Sequence, residues 1–149
     1  MSLNLTFKQC DESDLPTLWE IEQQMKDCPL FCVAADQEEF GACLKQNTFF
    51  IIYKADEVAG YCAYGERNKD LAEIHSMAIL KQFRRKGIGT QALEMMLEKL
   101  RDYKTIMVFT HPENNNSLRL YLKHGFVIKE WRENYFGNQP RLALYKENS

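Results

Sequence analysis

The chain has 149 residues, 45% of them hydrophobic and 27% charged, with a formal net charge of −2. That length suits one domain spanning residues 1–149, and the composition is that of a soluble globular protein. The charge balance argues against nucleic acid or an anionic membrane surface as a partner, and no apolar run reaches spanning length. The amino terminus has no charged region leading into an apolar one, so the expected location is cytoplasmic. Five cysteines (Cys10, Cys28, Cys32, Cys43 and Cys62) are odd in number and lack paired C-x-x-C spacing. Reduced thiols are expected, with no disulfide framework and no metal site. Cys28 and Cys32 could share a helix face, but two ligands do not hold a metal.

In chain order, Asn4 to Lys8 alternates as a first strand. Asp11, Ser13 and Asp14 offer helix caps and Pro16 suits a first turn, with Leu15, Leu18, Trp19, Ile21, Glu22 and Met25 continuing an amphipathic helix. Cys28-Pro29 breaks it. Asp36 with Glu39 reads as a capping box opening a second helix to about Gln46. Thr48 to Tyr53 and Val58 to Tyr64 form a hairpin around Ala55-Asp56-Glu57. Asn68-Lys69-Asp70 turns the chain into the strand Glu73 to Ile79. Ile88, Ala92, Leu93, Met96, Leu97 and Leu100 mark a helix. Thr105 to Thr110 is a nearly continuous apolar strand, suited to a parallel position covered on both faces. Asn114 to Lys123 is a short helix stopped by Gly125. Phe126 to Trp131 and Arg141 to Tyr145 are closing strands, joined by a loop from Tyr135 to Pro140. The order predicts a mixed α/β (α+β) domain, antiparallel in its first half and β–α–β–α–β in its second.

Chemistry concentrates at Arg84-Arg85-Lys86-Gly87-Ile88-Gly89-Thr90, between a strand and a helix. Glycines let backbone N–H groups approach an anion, a helix N-terminus adds partial positive charge, and the cations add formal charge. A solvated basic turn explains the same residues. Gly87-x-Gly89-x-x-Ala92 formally matches a dinucleotide fingerprint, but Leu80 to Lys86 separates its first glycine from the strand. A Walker A loop is excluded because no Gly-Lys-Ser/Thr follows a four-residue spacer.

A second segment decides between these readings. Arg84-x-x-Gly87-x-Gly89 after the strand Glu73 to Ile79 resembles the acetyl-CoA signature of the GNAT superfamily of N-acetyltransferases. Asn114-Asn115-Asn116-Ser117 followed by Leu120-Tyr121-Leu122-Lys123-His124-Gly125-Phe126 resembles that family's second cofactor motif. The resemblance covers roughly Thr48 to Phe126. It implies the GNAT acyl-CoA N-acyltransferase fold: a central, mostly antiparallel mixed sheet of about six to seven strands with about four helices, splayed between the fourth and fifth strands.

It also implies a transferase acting on acetyl-CoA without a metal, moving the acetyl group to a primary amine by direct attack in a ternary complex. Monomer and homodimer both remain open. The rival reading is a non-catalytic acyl-CoA sensor. By the resemblance, Met77, Ala78 and Ile79 contact the acetyl carbonyl and the pantetheine arm through backbone groups. Residues Arg84, Arg85, Lys86, Gly87, Ile88, Gly89 and Thr90 take the pyrophosphate, and Asn114, Asn116 and Lys123 are further coenzyme A contacts. Tyr121 is the expected general acid. Glu73 and His75, on one face with Met77 by the two-residue period, are candidate bases, and His111 is a third; His124 is structural. A partly buried Glu73 or an unshifted His75 would titrate usefully near neutrality. Asn134-Tyr135-Phe136-Gly137 with Leu142-Ala143-Leu144 resembles the RimI-like subgroup that acetylates protein N-termini, which makes Tyr135 a candidate substrate contact. Phe109 stands where that subgroup carries a Glu or His base, and this shifts the expected acceptor toward small amines. Glu20, Glu22, Asp27 and Glu133 could offer a cation-binding wall, but solvated acidic faces are the expectation.

Overall fold

The computed structural model describes residues 4–31, 33–136 and 138–148, and leaves the side chain of Phe136 undescribed. Cys32 and Gly137, and with them the Cys28–Cys32 pairing, lie outside the described residues. The strands are β1 (Leu5–Gln9), β2 (Thr48–Lys54), β3 (Glu57–Asn68), β4 (Leu71–Ile79), β5 (Thr105–Thr110), β6 (Val127–Phe136) and β7 (Gln139–Glu147). The helices are α1 (Leu15–Gln24), α2 (Gln37–Gln46), α3 (Ile88–Lys99) and α4 (Asn115–Lys123). The sheet order is β1-β2-β3-β4-β5-β7-β6, and β4–β5 is its parallel pair. This is the expected GNAT fold.

Local chemistry accounts for the boundaries. Asp11 accepts from Ser13 N and Asp14 from Asp11 N, closing a single helical turn that feeds α1 with Pro16 in its first turn. Asp36 caps α2 by accepting from Glu39 N at 2.8 Å. The Glu39 carboxylate reaches one residue further back than a standard capping box, to Ala35 N. Gly125 sits at φ +93° just past α4, where a left-handed residue ends a helix without the Cβ penalty.

The sheet is covered on both faces. On one face Phe40 of α2 packs against Phe49 and Tyr61 at centroid distances of 5.5 and 5.8 Å, with Leu18 and Ile21 of α1 buried beside them. On the other, Phe50 and Tyr64 lie under α3, whose Lys99 reaches over the Phe50 ring. Gly60 of β3 permits a close approach of two strands. A Cβ there would sit 2.0 Å from the Ala78 carbonyl oxygen, so only glycine lets β3 approach β4 this closely.

Two strand expectations need correction. Strand β5 is not covered on both faces: Ile106, Val108 and Thr110 are buried, whereas Thr105, Met107 and Phe109 are half-buried. Its other neighbour, β7, is antiparallel, and the face bearing Phe109 opens onto a cleft. The segment Tyr135 to Pro140 is mostly strand rather than loop, because β6 runs to Phe136 and β7 starts at Gln139. Register shifts between Ile128 and Glu130 and between Arg132 and Phe136 absorb the extra residues, with Asn134 at φ +51°.

The feature that positions the site is a bulge in β4. Ala63 pairs with Ser76 and Tyr64 with Ile74, leaving His75 as the extra residue. The β4–β5 ladder stops at Ile74–Val108, one residue before the bulge. A bulge bends and over-twists its strand. Beyond it, the β4 edge over residues 75–79 has no strand partner on the β5 side among the described residues.

Candidate active site

The gap opened by that bend is the mouth of a cleft of about 390 Å³. Its lining comes from both faces of the sheet: Glu22, Phe31, Phe40, Cys43 and Tyr61 on one side, Asn114, Ser117 and Tyr121 of the α4 region on the other. The cleft therefore threads the sheet at the β4–β5 splay.

The bulge also reassigns side chains. The two-residue period puts Glu73, His75 and Met77 on one face. In the structure His75 packs edge-on against Phe49 at 6.0 Å and Ser76 lies 3.3 Å from the Tyr61 hydroxyl, so both turn toward α1 and α2. Met77 goes to the opposite face, where its sulfur sits 3.5 Å from the place a Gly89 Cβ would occupy. A bulge presents two successive residues on one side, which breaks the alternation.

Of the candidate bases, Glu73 lines the cleft and accepts from Arg67 Nε at 2.8 Å, while Arg67 Nη2 also donates to Asn47 at 3.0 Å. Burial pushes His75 down to about 4, with the nearby Arg67 charge adding to the effect. It is therefore neutral and weakly basic near pH 7, contrary to the unshifted histidine expected. His111 is 4% exposed and committed at both nitrogens: Nδ1 accepts from Glu113 N and Nε2 faces Gln139 Oε1, each at 3.0 Å. His124 lies against the Leu120 carbonyl and Glu94, as a structural residue would. Tyr121 is buried on α4 against Phe126, and burial raises its phenol to about 12.

Glu22 is a correction. It is 3% exposed, not part of a solvated face. It accepts from the Tyr61 hydroxyl at 2.6 Å and from Ala34 N at 2.8 Å, and burial raises its carboxyl above the usual range. Sequence reasoning missed this acceptor-side network because Glu22 sits on a helix with polar neighbours at Glu20, Gln23 and Gln24. Only its place on the Leu18–Ile21 stripe hinted at burial.

The loop before α3 has the form of an anion cradle. Arg85 (φ +62°) and Gly87 (φ +82°) are left-handed, and Gly87 caps α3 with no side-chain hydrogen bond. By contrast, Asp36 and Asn114 cap α2 and α4 through their side chains. The first N–H groups of α3, at Ile88, Gly89 and Thr90, are thus left for a ligand, and Arg85 and Lys86 are exposed beside them. These groups fit a pyrophosphate, and the unpaired β4 edge fits an extended amide chain. Arg84, expected at the pyrophosphate, is engaged within the protein. Its Nε donates to the Ile79 carbonyl at 2.8 Å and its Nη2 lies against Met25 sulfur, so it braces the loop and occupies the Ile79 acceptor. Asn114 lines the cleft while capping α4 through Ser117 N at 3.3 Å; Asn116 and Lys123 are exposed and do not line it. Tyr135 stacks on Phe109 at 4.7 Å, and Arg132 covers the Phe109 ring at 4.8 Å. Among the described residues no three metal-ligating side chains cluster, and no helix is long and apolar enough to cross a membrane.

The cleft is lined by carboxylates and aromatics, and Met77 on its lining lies beside Gly89 of the basic loop. The profile of the Acetyltransferase (GNAT) family matches residues 10–126, and the chain belongs to that family. It is 27% identical over 128 residues to the [ribosomal protein bS18]-alanine N-acetyltransferase of Salmonella typhimurium, covering 83% of this chain and 82% of the relative. This bears out the RimI-like resemblance. Ard1 from Thermoplasma volcanium superposes with a TM-score of 0.84 at 19% identity, covering 99% of each chain. A GNAT family acetyltransferase from Elizabethkingia anophelis, solved with acetyl-CoA bound, superposes with a TM-score of 0.76 at 21% identity, covering 97% of this chain and 98% of that one.

Proposed function

We propose that the protein transfers an acetyl group from acetyl-CoA to a primary amine by direct attack in a ternary complex. The observation that carries this reading is the cleft through the splay, with Tyr121 reaching it from one face of the sheet and Glu73 from the other. When bound, acetyl-CoA would supply the activated acetyl thioester. The N–H groups of Ile88, Gly89 and Thr90, with Arg85 and Lys86, would hold its pyrophosphate. The free edge of β4 at Met77 and the Ile79 N–H would orient the extended arm, whereas the Ala78 backbone, expected as a further contact, faces β3.

Tyr121 is the proton donor to the leaving sulfur. Its raised phenol keeps the proton at neutral pH, and the same apolar surroundings raise a thiolate beside it, so donor and acceptor stay matched. Glu73 takes the amine's proton, directly or through a water, with Arg67 fixing the carboxylate. The Phe109–Tyr135–Arg132 stack fills the place where the RimI-like subgroup carries its base, which favours a small amine over a peptide N-terminus. The comparisons lend no support to a non-catalytic sensor.

The experiment is a thermal-shift titration followed by thiol-release assays over polyamines, amino acids, antibiotics and short peptides. Acetyl-CoA at a hundred times its dissociation constant stabilises the fold by about 2.7 kcal/mol. Absence of any shift removes the cofactor reading. A shift without turnover on any amine returns the sensor.

A further inference from the structure

Arg141 is the first-turn-side cation of β7, next to the β6–β7 connection, and it lines the cleft. It is 7% exposed. Its hydrogen bond runs from Nη1 to the Pro140 carbonyl at 2.8 Å, and among the described residues no carboxylate pairs with it. A guanidinium stays charged at any working pH, and a buried charge without a counter-charge costs several kcal/mol.

The nearby acids are already committed. Glu130 pairs with Arg132 and accepts from Tyr145. Glu73 is held by Arg67. Arg132 is the direct register partner of Arg141 across β6–β7, so two like charges face one another and only Arg132 has a carboxylate. Arg67, Glu73, Tyr135 and Arg141 all line the cleft, and Arg132 lies over the Phe109 ring on which Tyr135 stacks. The described side-chain N and O atoms include one that is sealed from solvent without a partner, Gln23 Nε2. The Arg141 Nε and Nη2 are therefore not sealed from solvent, and the residue lines the cleft.

We infer that Arg141 binds the carboxylate of the acceptor, so that the amine accepted is an amino-acid-like zwitterion. This rests on the acetyl-transfer reading of the same cleft. One Nη is taken by Pro140, and the remaining Nε–Nη2 edge has the fork geometry that a carboxylate meets with two parallel hydrogen bonds. Glu22, Glu39 and Glu73 line the rest of the acceptor side. They disfavour a ligand of net negative charge such as a phosphate dianion, and suit one whose ammonium faces them while its carboxylate faces Arg141. The carboxylate could belong to a free amino acid or to an acidic residue next to a peptide N-terminus.

The test titrates the coenzyme A-saturated full chain calorimetrically with acid and amide pairs. The pairs are glycine and glycinamide, alanine and alaninamide, β-alanine and its amide, glutamate and glutamine, and Ala-Asp and Ala-Asn peptides with amidated ends. At least one acid is expected to bind roughly ten- to a hundredfold more tightly than its amide, the strength of a charge-assisted pair. The free amino acids and the peptide pair tell the two sources apart. Arg141→Gln removes the acid preference, leaving amide affinity unchanged, and Arg141→Lys restores part of it. Equal affinity for acid and amide in every pair, or no binding of any acid, overturns the inference while leaving acetyl transfer standing. Failure of coenzyme A itself to bind removes both. If Arg141→Gln does not fold, the acid–amide comparison on the unaltered chain decides alone.

Discussion

The loop that opens α3 and the cleft beside it are made of different material. The loop is built from backbone: uncapped N–H groups at Ile88, Gly89 and Thr90, and left-handed turns at Arg85 and Gly87. The cleft is built from side chains: Glu22, Tyr61, Ser76, Glu73, Arg67, Tyr135 and Arg141. A backbone cradle is rigid and indifferent to what lies at the far end of the cofactor, so one loop serves many acceptors. The side-chain cleft can change its acceptor by substitution at positions that do not disturb the cradle.

Tyr121→Phe gives the largest expected effect on that comparison. The phenol belongs to the cleft and not to the loop, so its loss slows turnover by roughly a hundredfold or more while acetyl-CoA affinity holds. Steady-state thiol release with parallel calorimetry checks this, and unchanged turnover would take the proton-donor role away.

Glu22→Ala probes the cleft as structure. It leaves the Tyr61 hydroxyl and Ala34 N–H without an acceptor, and the fold loses about 2–4 kcal/mol. Glu22→Gln retains one of the two hydrogen bonds and costs less. Urea midpoints measure both; a neutral Glu22→Ala would mean that this network does not brace the wall that Leu30, Phe31 and Ala34 give the cleft.

Gly87→Val probes the cradle. A β-branched residue at φ +82° costs about 1–3 kcal/mol of local strain, and the loop relieves it by leaving the left-handed region. Acetyl-CoA affinity drops about tenfold and the amine KM stays put. An altered amine KM with intact cofactor affinity would reverse the assignment of loop and cleft.

The smallest effect concerns His75. Its folded-state value of about 4 lies below the ordinary 6.5, so between those values the unfolded chain binds more protons. Stability therefore falls as pH drops from about 6.5 toward 4 and is flat above that window as far as this group is concerned. His75→Gln flattens the window in urea midpoints taken across pH. A midpoint that rises on acidification through the window would show His75 to be charged in the fold.

The local geometry of the glycine loop and of α4 was legible because the residues that set it are contiguous. Arg84 to Thr90 and Asn114 to Phe126 each carry their geometry in adjacent residues, where glycine placement and helix caps act locally. Even there, the bond from Arg84 to the Ile79 carbonyl was not legible, since a cation in a run does not announce which carbonyl it meets. The face of Met77 was misread for a related reason: a bulge at His75 is set by how β3 and β4 pair, and the alternation of β4 taken alone cannot show it.

From the sequence alone came the order of strands and helices and the family resemblance, because each depends on residues near one another in the chain. Tertiary structure alone decided the rest. It buried Glu22 under Tyr61 and lowered His75 by packing it on Phe49. It closed the Phe109 site with Tyr135 and set Arg141 across from Arg132 at the mouth of the cleft. Those outcomes depend on which desolvated groups meet across strands far apart in sequence, and burial and charge pairing exist only once the sheet has formed.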